Sequence, residues 1–194
     1  KLDKNNCYGP KLSNRKLIKA KYGLSWQPSY NIAPSHNVLA STGNNILFTK
    51  PWGFSPAWYQ SGKSLINARI ESLNFKPSYK NVMRCVVLAD GWYEWREEKG
   101  AKVPYYHHAD GALLFFAAIY GEKSGCAIVT TPSVGNLQTI HHRQPYLLLE
   151  SEIEQWSASA ESGMPSGSGN VKFHQVSKKV NNPNINALQN IERV

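Results

Sequence analysis

The sequence predicts an α+β fold: a single compact domain over residues 1–194, mostly antiparallel, barrel-like sheet, with a few flanking helices. Three observations carry this expectation. Short runs rich in valine, isoleucine and aromatic residues recur, with turn residues between them. No regular alternation of strand and helix patterns appears, which argues against a doubly wound parallel sheet. The 194 residues are 41% hydrophobic and 18% charged, the balance of one globular unit with a sizeable core.

Residues 11–24 carry Leu12, Leu17, Ile18 and Leu24 at helical spacing, with Ser13 as the expected N-cap and Gly23 as the C-cap glycine. Tyr30–Pro34 leads into two short strands joined by Gly43-Asn44-Asn45. In Leu65–Glu71 the residues alternate. Ile66, Ala68 and Ile70 share one face; Asn67, Arg69 and Glu71 share the other, at roughly 7 Å spacing. Cys85–Ala89 is a continuous apolar run, the mark of a fully buried strand. Asp90-Gly91 turns the chain into Trp92-Tyr93-Glu94-Trp95. Three more strands are expected at 103–108, 113–120 and 126–131, with a helix candidate at 133–140. Ser151–Trp156 opens like a capped helix, and residues 157–170 read as a mobile low-complexity loop. Val171–Val176 is the last expected strand.

Composition narrows the partners. Lysine and arginine number 22 against 13 aspartate and glutamate, a formal net charge of +9 that favours a polyanion, nucleic acid first. The basic residues are scattered, with no block that would mark a basic tail. No apolar run approaches the roughly 20 residues of a membrane span, and the first residues carry no signal-peptide core, so no membrane partner is expected. Three cysteines, Cys7, Cys85 and Cys126, form no CxxC pair. A reducing cytoplasmic setting fits them better than a disulfide framework.

The common catalytic signatures GxSxG, Walker A and HExxH are absent. His107-His108 and His141-His142 are adjacent pairs. Neighbours on a strand point to opposite faces, so neither pair offers two rings to one ion, and no metal or organic cofactor is expected. On spacing alone, His141 and Arg143 share a side of an extended segment. They read either as a proton carrier beside an anion holder, or as a buried imidazole and an arginine paired to a surface acid. Glu94 also has two readings. Among aromatic rings its carboxyl loses water and its pKa rises toward that of a general acid. Alternatively it points outward and pairs with Arg96 or Lys102.

Eight segments in order resemble the motif string of the SRAP family, the SOS-response-associated peptidase-like proteins that act on abasic sites. They are YNIAP (30–34), WGFSPAW (52–58), LINARIES (65–72), FKPSY (75–79), RCVVLADGWYEW (84–95), GCAIVTT (125–131), TIHHRQP (139–145) and HQVSKKVNNP (174–183). The resemblance implies strongly bent sheets around a basic groove for single-stranded DNA. It implies a DNA–protein crosslinking enzyme that shields an abasic site as a thiazolidine, through an N-terminal cysteine freed by autoproteolytic loss of the initiator methionine. It implies Asn67, Glu94 and His141 as catalytic residues. Arg69 and Arg143 match phosphate contacts, and Trp52 and Trp58 match the aromatic wall beside the lesion. The implied protein is a cytoplasmic, nucleoid-associated monomer whose partner is abasic single-stranded DNA.

One feature departs from the family pattern. The first cysteine, Cys7, is followed by Tyr8-Gly9-Pro10 and not by the family's Gly-Arg-Phe. The expectation is that the nucleophilic cysteine precedes Lys1. The alternatives are a non-catalytic single-strand binding module that has lost the nucleophile, and a peptidase acting on other proteins. Cys7 itself, inside a chain, lacks the free α-amine that a thiazolidine needs.

Overall fold

The computed structural model describes residues 9–43, 46–56, 64–158 and 170–194. Two sheets and two short helices make up a mixed α+β fold. The first sheet has four strands in the order β1 (Gly9–Lys11), β6 (Gly91–Glu98), β7 (Ala101–His108) and β12 (Lys172–Gln175). The second has eight. Its main path runs β10 (Arg143–Pro145), β9 (Cys126–Pro132), β8 (Leu114–Tyr120), β5 (Met83–Ala89), β2 (Asn37–Thr42) and β3 (Ile46–Pro51). The two-residue β11 (Leu147–Leu148) pairs with β8, and β4 (Asn67–Arg69) pairs with β9. Among the described residues each path is open at its ends, so the expected barrel-like closure is not found there, and the two sheets pack on each other. Antiparallel pairing dominates as expected; β4–β9 is parallel.

Sequence explains the middle of the larger sheet. Cys85, Val86, Val87, Leu88 and Ala89 of β5 are all buried, flanked by β8 and β2. A strand covered on both faces needs apolar residues at successive positions, not alternate ones. Trp92 of β6 packs edge-on against Phe116 of β8, with ring centroids 5.7 Å apart at 87°. That contact joins the two sheets across the core.

Asp90 does not make a hairpin turn. β5 and β6 lie in different sheets, and the chain crosses between them at this residue. Its buried carboxylate accepts from the backbone N–H groups of Ser13 and Asn14 at 3.0 and 2.9 Å and pairs with Lys11 at 3.1 Å. Gly91 follows because a Cβ there would stand 2.3 Å from the Tyr106 ring. The helix that starts at this anchor, α1 (Arg15–Tyr22), is capped by Asn14 rather than by Ser13: the Asn14 side chain accepts from Leu17 N–H. Gly23 closes it at φ 67°, as expected of a C-cap glycine.

The polar-faced strand is shorter than its alternation suggested. β4 ends at Arg69, and Ile70–Ser72 turn into a 3₁₀ helix that carries Glu71 off the strand. Residues 133–140 include a 3₁₀ turn, Gly135–Thr139. Of the expected mobile loop, Ser157 and Ala158 close α2 (Ile153–Ala158), and residues 159–169 lie outside the described residues. Cys7 and Trp58 lie outside them as well. No helix among the described residues is long and apolar enough to cross a membrane.

Candidate active site

The two sheets bring Glu94 and His141 together. Glu94 lies two residues beyond Trp92 on β6, on the face turned toward the larger sheet. His141 follows the 3₁₀ turn that leads into β10. Their side chains meet with 3.8 Å between Glu94 Oε2 and His141 Nδ1. Glu94 is 3% exposed, and its Oε1 accepts from its neighbour's backbone, Trp95 N–H, at 3.0 Å. Burial pushes its pKa from 4.5 up to about 8, against smaller opposing effects from that hydrogen bond and from Lys102. Glu94 therefore retains a proton at neutral pH. Trp95, the next residue, faces the opposite side and joins a small cluster with Tyr93 and Tyr106. Arg96 holds Glu98 at 2.6 Å and is no partner to Glu94.

Burial also lowers the pKa of His141, assisted by His142, whose ring centroid lies 4.2 Å away. The imidazole is thus neutral where Glu94 is still protonated. A buried carboxyl and a half-buried imidazole thus stand together as neutral acid and neutral base. Nδ1 accepts from Arg143 N–H at 3.1 Å, and the Arg143 carbonyl oxygen lies at the same distance. The backbone can thus serve either protonation form of the ring: N–H donates to the neutral nitrogen, and C=O accepts from the charged one.

Asn67 and Arg69 enter through β4. Asn67 pairs with Ile128 and Arg69 with Thr130 on β9, while Arg143 and Pro145 of β10 pair with the far edge of the same strand. Ala68 between them is buried, so Asn67 and Arg69 share the opposite face. Arg69 is exposed. Arg143, matched by the family resemblance to a phosphate contact, is paired to an acid. Its guanidinium grips Glu71 through two parallel bonds, 2.8 and 3.0 Å, and donates to the Thr130 carbonyl at 2.6 Å. This fork and the attraction of Arg69 hold the Glu71 carboxyl below its ordinary range. Sequence reasoning anticipated an acid for Arg143 but did not name it; the 3₁₀ turn after Arg69 is what swings Glu71 into reach.

Trp52 is corrected. Expected beside DNA, it is fully buried, and its indole N–H donates to the Ile66 carbonyl at 2.8 Å. A buried tryptophan of about 150–250 Å² is worth roughly 4–6 kcal/mol of burial. Stacking on a base returns only roughly 1–3 kcal/mol. The ring belongs to the core.

A separate cleft of about 420 Å³ is lined by Lys11, Asp90, Tyr106, His108 and His174, and contains none of the candidate residues. Lys11 there is matched by Asp90, and Asp110 on its wall is matched by Lys172 outside it.

Fold and geometry together define a class: a mixed α+β protein with a buried carboxyl beside a half-buried imidazole at the seam of two open sheets. The chain belongs to the SRAP family, SOS response associated peptidase, whose family model matches residues 10–183. It is 31% identical over 191 residues to the abasic site processing protein YoaM of Bacillus subtilis, covering 84% of each chain. It is 35% identical over 177 residues to the abasic site processing protein YedK of Escherichia coli, covering 79% of each. A protein of known structure from Bacteroides thetaiotaomicron, 20% identical, shares the fold with a TM-score of 0.74 over 97% of this chain and 100% of that one.

Proposed function

We propose that this protein processes abasic sites in single-stranded DNA by forming a thiazolidine crosslink through an N-terminal cysteine. The observation that carries the reading is the buried Glu94 carboxyl, proton-bearing near neutrality and 3.8 Å from His141. The family relationship supplies the substrate class. The formal charge of +9 supports a nucleic-acid partner.

The chemistry assigns each group one task. The ring-opened abasic sugar presents an aldehyde. The α-amine of the N-terminal cysteine adds to its carbon, and loss of water gives a Schiff base. Glu94 donates the proton that lets hydroxide leave as water, and His141 takes the proton released by nitrogen. The cysteine thiol then adds to the same carbon and closes the ring, so one water is lost overall. Asn67 holds the N-terminal residue in place. The same acid–base pair serves autoproteolytic removal of an initiator methionine.

The test uses the full-length protein with its native N-terminus. After incubation with an abasic single-stranded oligonucleotide, intact mass should rise by the oligonucleotide less one water. Binding with no mass shift favours the non-catalytic binding module. Cleavage of unrelated peptides without DNA favours a general peptidase.

A further inference from the structure

With Trp52 in the core, a base needs another ring to stack on, and one phenylalanine of the described residues stands open to it. Phe75 is 84% exposed, and among the described residues it is the one phenylalanine, tyrosine or tryptophan that is exposed. It projects from a turn held at both ends. Leu73 before it and Tyr79 after it are buried, Tyr79 against Phe54 with ring centroids 6.4 Å apart. Between them the backbone is closed by Phe75 N–H and Lys76 N–H, both donating to the Ser72 carbonyl, at 3.3 and 3.1 Å. Ser72 Oγ in turn donates to the Arg69 carbonyl at 3.0 Å. The ring is therefore presented by an ordered turn rather than by a loose tip.

Its surroundings are cationic. Arg69, Lys76 and Lys80 are exposed on the same segment, and Glu71, the acid among them, is drawn to Arg143. A single exposed apolar side chain needs no explanation by itself. An exposed ring on a hydrogen-bonded turn, flanked by three exposed cations, is the combination that grips single-stranded nucleic acid: charge tracks the phosphates and the ring receives a base.

We infer that Phe75 is a base-stacking platform for single-stranded DNA entering over the Arg69–Lys80 turn, with Arg69, Lys76 and Lys80 on its phosphates. The inference rests on the single-stranded DNA reading given above and adds where a base, as distinct from the lesion, is held.

The experiment compares two oligonucleotides of equal length, oligothymidylate and a chain of base-free tetrahydrofuran residues. The parent should bind the first more tightly. Phe75→Ala should bind oligothymidylate about 5- to 150-fold more weakly, the span of one base–aromatic stack. It should bind the base-free chain like the parent, and melt at the parent temperature because an exposed ring holds no core. Phe75→Trp should keep or strengthen oligothymidylate binding. If Phe75→Ala binds both chains as the parent does, this platform is overturned while single-strand binding stands. If the parent binds neither chain, the underlying reading fails, and the platform with it.

Discussion

Arg143 and Glu71 form a two-pronged ion pair, 2.8 and 3.0 Å, that ties β10 to the turn after β4. The arginine side chain is 13% exposed and the glutamate 47%. The pair thus has a buried end and a wet end, and the two residues should respond differently to removal.

Arg69 and Arg143 separate on this ground. Arg69→Ala removes an exposed cation. It should weaken single-strand binding across sequences and lower the salt slope by about one counterion, with no change in melting temperature. Arg143→Ala also strips a donor from the buried Thr130 carbonyl, and should lower stability by roughly 1–3 kcal/mol. Salt titrations and thermal melts of the two variants test this. Equal melting temperatures would count against a structural role for Arg143.

Glu94 makes stability depend on pH in a stated direction. Its pKa is about 8 folded, against an ordinary 4.5. Between these values the folded protein holds a proton that the unfolded chain has released. Stability from this group therefore falls as pH rises through that window, and the full penalty stands above 8, roughly 5 kcal/mol as an upper bound. Glu94→Gln does not titrate. Its melting temperature relative to the parent should climb from pH 5 to about 9. A constant difference across that range would mean that Glu94 is charged throughout.

The same variant reads out chemistry. Glu94→Gln keeps the shape and loses the acid, so the full-length protein should bind abasic DNA normally and crosslink it slowly. The parent's crosslinking rate should decline as pH rises through about 8, where its acid is spent. Parent-like rates for Glu94→Gln at every pH would refute the assignment.

His141 should set the acid limb. Its pKa lies below the ordinary 6.5, so the ring remains a base until the pH falls below that value. His141→Ala should slow crosslinking and flatten its dependence on pH on the acid side, while Glu94 still governs the alkaline side. An unchanged acid limb in the variant would remove His141 from the proton path.

Trp52→Ala should behave as a core deletion, losing roughly 3–5 kcal/mol of stability. The fraction that remains folded should bind single-stranded DNA as the parent does. Weaker binding by folded protein, at unchanged melting temperature, would restore the platform role that burial argues against.

By itself the sequence determined the strand content, the buried run Cys85–Ala89, the glycine that ends α1, and the family. These are legible because local patterns carry them: unbroken apolar residues mean two covered faces, and a left-handed position after a helix selects glycine. Only the tertiary structure decided the rest. Glu94 could point to solvent or to the core, and the answer depends on a second sheet lying over β6. Trp52 matched the family's wall beside the lesion, since a family motif carries no burial; contact with Ile66, fourteen residues on, placed it inside. Arg143 found its acid 72 positions away, and His141 met a carboxyl 47 positions before it. Burial and pairing at such separations are set by how sheets stack, and pKa follows burial.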